Sequence, residues 1–402
     1  MFNKTLIFII AGNLFFAGLA TMAMGQDMTS EVKIFMCGDV MTGRGIDQIL
    51  PHPADPQIHE SYLKTATGYV KLAEALNGPI RKPVSFAYIW GEALEELDRV
   101  VPHVRLINLE TSITSSNDYW KGKGIHYRMH PHNIASLAAA GIDVCALANN
   151  HVLDWGYAGL EETLVSLSKA NIQTSGAGTD ASAAGAPAVI SVGGWQRVIV
   201  FSFGVSSSGI PSSWAAAKNR PGVNLLKNLG ATSVGQIQKT VQAVKRSGDI
   251  VVASIHWGGN WGYDIPRRQT EFAHRLIDAG GVDIVHGHSS HHIKAIEVYK
   301  NKLILYGCGD FLNDYEGIGG YEEFRADLSL MYFATLDAAT GKLLALQMTA
   351  TRIKRFQIQR ASTADTRWIA NILNREGKLF GTRVRMHLNH RLSLQWQKTG
   401  RP

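Results

Sequence analysis

Three cysteines in 402 residues are too few, and odd in number, to make a disulfide framework. Cys37, Cys145 and Cys308 each lie in or beside an apolar run, such as Ile34-Phe35-Met36-Cys37 and Leu305-Tyr306-Gly307-Cys308. They are expected as small buried hydrophobes at strand ends rather than as a redox pair. Proline is scarce as well, 12 residues against 40 glycines, which excludes stiff Pro-rich linkers and points to many tight turns. Charged residues make up only 18% and apolar residues 45%, a balance that excludes a disordered or low-complexity chain. Long apolar runs are missing except for one, so a polytopic membrane protein is excluded. At roughly 150 residues per domain, the length allows two or three ordinary domains or one large layered one. No internal repeat is visible.

The single apolar run is N-terminal. Lys4 precedes Thr5-Leu6-Ile7-Phe8-Ile9-Ile10, apolar residues continue to about Ala20, and Ala23-Met24-Gly25 offers small residues ahead of Gln26. A positive start, an apolar stretch of ~15 residues and a small-residue exit read as a secretory signal over residues 1–25. The alternative is an uncleaved membrane anchor; against it, the stretch is short of the ~20 residues a span requires. The protein is therefore expected to be exported, to a periplasm or cell surface.

Charge is unevenly spread. From Gly341 to Pro402 there are 13 Lys or Arg against Asp365 and Glu376, a balance of +11; since the whole chain carries +7, the remainder carries −4. A basic C-terminal segment (residues 351–402) on a mildly acidic body suits an anionic polymer or a membrane surface as partner. The other reading is a solvated face. Apolar residues such as Phe356, Trp368, Leu373 and Val384 are interleaved with these cations, which predicts an ordered surface rather than a trailing tail. Nucleic acid is not expected as a partner of an exported protein.

Between about Glu31 and Ala350 short strand-like and helix-like segments alternate, with no linker to divide them. Strands are predicted at Val32 to Cys37, Val104 to Asn108, Val144 to Leu147, Ile250 to Ile255 and Asp283 to Val285. Helices are predicted at Ala93 to Val100, His132 to Ala140, Tyr157 to Ala170, Val234 to Arg246, Arg268 to Ala279 and near Thr363 to Gly377. Hairpins are predicted about Gly193-Gly194 and Lys300-Asn301. Pro51 to Ser85 and Ser206 to Ser233 read as long connections.

Each of those five strands delivers polar residues at its C-terminal end. They are Gly38-Asp39 with Arg44 beyond, Glu110, Asn149-Asn150-His151 with Asp154, His256-Trp257-Gly258, and His286-Gly287-His288 with His291 and His292. Strand C-termini in layered α/β folds converge on one edge, so residues distant in sequence can meet there. Asp39, Glu110, Asn150, His256, His288 and His291 supply the carboxylate, imidazole and amide donors that one or two divalent ions (Mn, Fe, Zn or Mg) require. Glu110 is the candidate bridge between two metals. His151 is a candidate general acid, with Asp154 to orient its ring. Arg44 is either a clamp for a phosphate or carboxylate or half of a structural ion pair. Trp155, Trp257 and Trp261 either wall the cleft or pack. His286 and His292 read as supporting or surface residues, and Glu297 as the partner of a hairpin lysine.

These motifs resemble a known family. Cys37-Gly38-Asp39-Val40-Met41-Thr42-Gly43-Arg44, Ile107-Asn108-Leu109-Glu110-Thr111, Ala148-Asn149-Asn150-His151, His256-Trp257-Gly258, Gly287-His288-Ser289-Ser290-His291 and Gly309-Asp310-Phe311 look like the ordered motifs of the CapA (poly-γ-glutamate capsule biosynthesis) family, over residues ~33 to ~335. That family is similar to calcineurin-like metallophosphoesterases. The resemblance implies an α/β (α+β) αββα sandwich of two facing mixed sheets, with a metal centre at the strand ends. It implies either metal-dependent hydrolysis or ligation in envelope polymer metabolism, or non-catalytic binding of an anionic polymer such as poly-γ-glutamate. The superfamily usually carries Asp-x-His in its first motif, whereas Met41 follows Val40 here; Asp310 stands where the family favours Asn.

Overall fold

The computed structural model describes Met1, residues 30–387 and residues 389–397; the signal-like segment lies outside the described residues apart from Met1. Among the described residues no helix is long and apolar enough to cross a membrane.

Alternation along the strands builds four layers. In Glu31–Val40 the even positions Val32, Ile34 and Met36 face one way, while Phe35 and Cys37 face the other. In Gln196–Val205, Val198 and Val200 likewise oppose Ile199 and Phe201. Period-two residues apolar on both faces require cover on both faces. Val32, Ile34, Met36, Leu106 and Val144 of a ten-stranded sheet pack against Val198, Val200, Val252 and Ile284 of a seven-stranded one. The outer face of the first sheet takes Tyr69 and Ala73 of Thr67–Asn77, Leu97 of Glu92–Val100 and Leu160 of Gly156–Lys169. The outer face of the second takes Val234 and Val241 of Ala231–Val244 and Phe272 and Leu276 of Arg267–Gly280. The layers are helices, sheet, sheet, helices, and both sheets are mixed: this is the αββα sandwich implied by the resemblance.

In the first sheet Glu31–Val40, Val104–Leu109, Val144–Ala146 and Gln173–Ser175 run parallel as neighbours, and Leu328–Asp337 pairs antiparallel on the other side. In the second sheet Gln196–Val205, Ile250–His256 and Ile284–His288 are parallel. Parallel strands bring their C-terminal ends to one edge, where the polar residues collect. The hairpins appear as expected: Ala188–Gly193 with Gln196–Val205, and Ile296–Tyr299 with Lys302–Leu305.

Two differences from the sequence reading have physical causes. Pro51 to Ser85 is not a bare connection, because Thr67–Asn77 is a helix within it; only Tyr69, Val70 and Ala73 are buried and no side chain caps its start, so its sequence signal is weak. The helix predicted at His132 to Ala140 is a 3-10 turn, Pro131–Ile134, followed by the short helix Ala135–Ala139. The strand Leu343–Lys354 runs straight through residue 350 and pairs with Arg391–Trp396, so the basic segment belongs to the ten-stranded sheet. Thr382–Met386 forms its edge, with Arg383 and Arg385 exposed, the kind of charge that keeps an open edge from pairing with another chain. The three cysteines are free and buried.

One glycine positions the site. Asp39 N–H donates to Gly309 O at 2.9 Å, and a Cβ on Gly38 would lie 1.6 Å from that same carbonyl oxygen. Backbone against backbone leaves nothing flexible to move. Gly38→Ala should therefore push Asp310 away from Asp39 and cost about 3 kcal/mol or more, read as a lowered urea midpoint; an unchanged midpoint would mean the two segments are not held this closely.

Candidate metal centre

Asp39 nears the end of Glu31–Val40, Glu110 directly follows Val104–Leu109, and Asn150 lies beyond Val144–Ala146. His256 and His288 close two neighbouring parallel strands in matched register. Asp39 is also the register partner of Asn108 and of Asp310, with a bulge in Glu31–Val40 between Met36 and Asp39, a device that re-aims side chains next to sites.

A chain of hydrogen bonds sets the imidazole tautomers. His286 Nε2 lies 2.7 Å from Cys37 O, a carbonyl that can only accept, so Nε2 carries the proton. In the neutral ring His286 Nδ1 then accepts from Ser254 Oγ at 3.1 Å. Ser254 Oγ is left to accept from His288 Nε2 at 2.9 Å, so His288 Nδ1 bears a lone pair. His256 Nε2 lies 3.0 Å from Asn150 Oδ1; with that nitrogen donating to the amide oxygen, His256 Nδ1 bears one too. Burial favours the neutral rings, pushing His286 down to about 4 and His256 and His288 well below the usual histidine range. The two Nδ1 atoms face each other at 2.8 Å, and Asp39 Oδ1 is 3.8 Å from that of His288. Facing lone pairs repel unless a proton or cation lies between them.

Asp39, His256 and His288 place one donor atom each within 4.8 Å of the others, and all three are buried. Asn108 Nδ2 donates to Asp39 Oδ1 at 2.7 Å and to Glu110 Oε2 at 3.1 Å, setting the two carboxyl groups side by side. Burial first, then the neighbouring acids, raises Asp39 to about 7 and Glu110 well above the carboxylate range. Two buried imidazole nitrogens and crowded carboxyl groups are the donor set a divalent cation takes. The residues present therefore fit such an ion.

The expected donors differ in their contacts, and His291 stands apart from the other five, bonded to Asp310, the register partner of Asp39. Asn150 uses Oδ1 to hold His256. His291 Nδ1 sits 2.9 Å from Asp310 Oδ2; burial works against a charge on that ring, but Asp310 outweighs it and the pKa is raised. Asp310 thus enters the site, also accepting from Asn313 Nδ2 at 3.0 Å. Met41 is buried, its sulfur 3.2 Å from Gly43 N–H.

His151 stands beside this cluster. Nδ1 is 2.7 Å from Asp154 Oδ2 and Nε2 is 3.8 Å from Glu110 Oε1, while Tyr127 stacks on the ring at 3.8 Å. Lys123, which sequence reasoning missed, pairs with Asp154 and lies 3.0 Å from His151 Nδ1. It sits in an irregular segment between Gly122 and Gly124, with no strand end to mark it. Burial, then the Lys123 charge, lowers the His151 pKa well below the usual range.

Several expectations are corrected. Arg44 grips Asp314 with two nitrogens, one at 3.2 Å, and bonds Glu60 at 2.9 Å and Tyr69 OH at 2.7 Å. Its fork is taken up inside the protein, so the structural ion pair describes it and the clamp does not. Glu297 pairs with His274 at 2.8 Å and Tyr306 at 2.6 Å, not with a lysine. Trp155 and Trp257 are buried packing groups. Trp261 alone of the three lines the cavity of about 810 Å³ that opens onto Glu110, His151, His256 and His291.

The profile described as "Bacterial capsule synthesis protein PGA_cap" matches residues 33–315. A "probable polyglutamine synthesis accessory protein" of Mycobacterium tuberculosis is 51% identical over 354 residues, 88% of this chain and 93% of that one. The "PGA biosynthesis protein CapA" of Bacillus subtilis is 34% identical over 211 residues, 52% of each chain. A solved Mycoplasma pneumoniae phosphatase shares 11% identity with a TM-score of 0.42, covering 80% of this chain and 94% of that chain. From the profile match and the mycobacterial relative, this chain belongs to the bacterial capsule synthesis family PGA_cap.

Proposed function

We propose that this is an exported enzyme of envelope polymer synthesis, acting by divalent-metal-dependent hydrolysis on an anionic polymer of the poly-γ-glutamate kind. The observation that carries the reading is the cluster of Asp39, His256 and His288, whose donor atoms lie within 4.8 Å of one another with the two Nδ1 atoms 2.8 Å apart. Asp39, His256 and His288 would hold the ion, with Glu110 next to them. A divalent cation bound there supplies Lewis-acid polarisation of a carbonyl or phosphoryl oxygen. The chain's own groups do the rest. Asp154 and Tyr127 fix the His151 ring, leaving Nε2 toward Glu110 to move a proton. An anionic substrate beside Nε2 raises the ring's affinity for a proton, as a general acid requires. Lys123, paired with Asp154, lines the same wall.

His151→Ala should lower turnover by roughly 10²–10⁴-fold while leaving metal content unchanged, measured by elemental analysis alongside cleavage of γ-linked glutamate oligomers and of a phosphodiester with added Mn. Loss of the metal together with activity would make His151 a ligand.

A second reading is polymer handling without turnover, favoured by the cationic edge at Arg383 and Arg385. Purified protein that holds no metal and cleaves neither substrate would leave only that reading. A truncation near residue 351 cannot test it, because it would cut the end of Leu343–Lys354 and remove Gln357–Arg360 and Arg391–Trp396, the strands paired to it.

A further inference from the structure

The row of side chains on the inner face of Leu343–Lys354 changes character along its length. Leu346, Met348 and Ala350 lie in the core between the sheets. The next two positions of the same period are Arg352 and Lys354, and both line the cavity. Leu330, the register partner of Ala350, is buried in the inter-sheet core, and Leu328, the partner of Arg352, is at its end. The strand thus turns cationic where it leaves that core.

These two cations differ from the others around the cavity. Arg44 is spent on Asp314 and Glu60, Lys123 on Asp154, and Arg325 on Asp327 and Asp365. The side chains of Arg352 and Lys354 have no hydrogen bond or ion pair among the described residues, and both are half-buried. The acids nearby are already engaged: Glu316 accepts Arg355 N–H and Phe356 N–H at 2.7 Å each, and Glu322 accepts Gly320 N–H at 2.8 Å. Positive charge held at a cavity wall without a protein partner is available to a ligand. Exposed apolar groups, Tyr62, Leu76, Ile318 and Tyr321, line the same cavity.

We propose that Arg352 and Lys354 form a second anion-binding subsite, which holds one carboxylate of an extended polycarboxylate chain while another part of that chain reaches the metal centre. The apolar groups suit the methylenes between successive carboxylates, which a polyphosphate lacks. The pair lies beyond the family-matched span of residues 33–315. The inference rests on the proposed polymer substrate but not on turnover.

The test is calorimetric binding of γ-linked glutamate oligomers of increasing length to the full chain and to the double variant Arg352→Gln/Lys354→Gln. Affinity for the wild-type chain should rise by roughly tenfold from the single amino acid to the longer oligomers. The double variant should lose that rise, with metal content and cleavage of a small phosphodiester unchanged. The charge-keeping swap Arg352→Lys/Lys354→Arg should retain it, and each single variant should lose about half of it on a logarithmic scale; these serve equally if the double variant folds poorly. A length-dependent rise that survives in the variants, or is missing from the wild type, overturns the subsite. Equal binding of a polyphosphate of matched charge overturns the polycarboxylate assignment. Absence of metal and turnover with the length dependence intact would fail the enzymatic reading and leave the subsite standing.

Discussion

Asp39→Ala should abolish stoichiometric metal binding, lowering affinity for Mn or Zn by at least about 100-fold, the upper end of what losing a mere supporting contact costs. The reason is positional. Asp39 is the donor that the ten-stranded sheet contributes, whereas His256 and His288 both come from the seven-stranded one. Without it the site keeps two imidazoles and no charged donor among the three. The fold should survive, since alanine removes a buried carboxyl group that burial and Asp310 already disfavour in its charged form. Elemental analysis together with calorimetric titration checks this. Full occupancy in the variant would move the ion elsewhere, toward Glu110, Asp310 and His291.

Arg44→Met should destabilise the fold by about 3–5 kcal/mol, because it strands Asp314 and Glu60 as buried acids without their cation. The guanidinium also stacks over Tyr69 at 3.8 Å and Tyr127 at 4.7 Å, so packing is lost with the charge. Urea unfolding measures the effect. An arginine whose task was to clamp substrate would give the opposite pattern, intact stability with a raised KM. The double change Arg44→Met/Asp314→Asn should recover part of the loss, since it removes one of the stranded charges.

The strands and the residues at their ends could be read from the sequence because the physics there is local. Runs such as Val32 to Cys37 and Ile250 to Ile255 are apolar on both faces, and the polar residues follow where burial ends. Roles that depend on distant partners could not be read. Arg44 meets Asp314 across 270 positions, and nothing near Arg44 announces the acid. Lys123 belongs to the site only because Asp154 and His151 fold against it. Ser254 is one small residue in an apolar strand, and its part in orienting two histidines appears only once those rings lie on the neighbouring strand. The helix Thr67–Asn77 escaped because three buried residues make a thin stripe.

The bond from His286 to Cys37 O spans the gap between the two sheets. That one contact makes the proton arrangement at the site a gauge of the sandwich's thickness. If the sheets drew apart, the His286 ring would lose the acceptor that dictates where its proton sits, and the error would pass through Ser254 to His288. Side chains of the inter-sheet core such as Met36 and Val252 would then tune the donor atoms without approaching them. Swapping one of those for a bulkier neighbour would be felt as altered metal preference, at a distance, by a protein whose site residues had not changed.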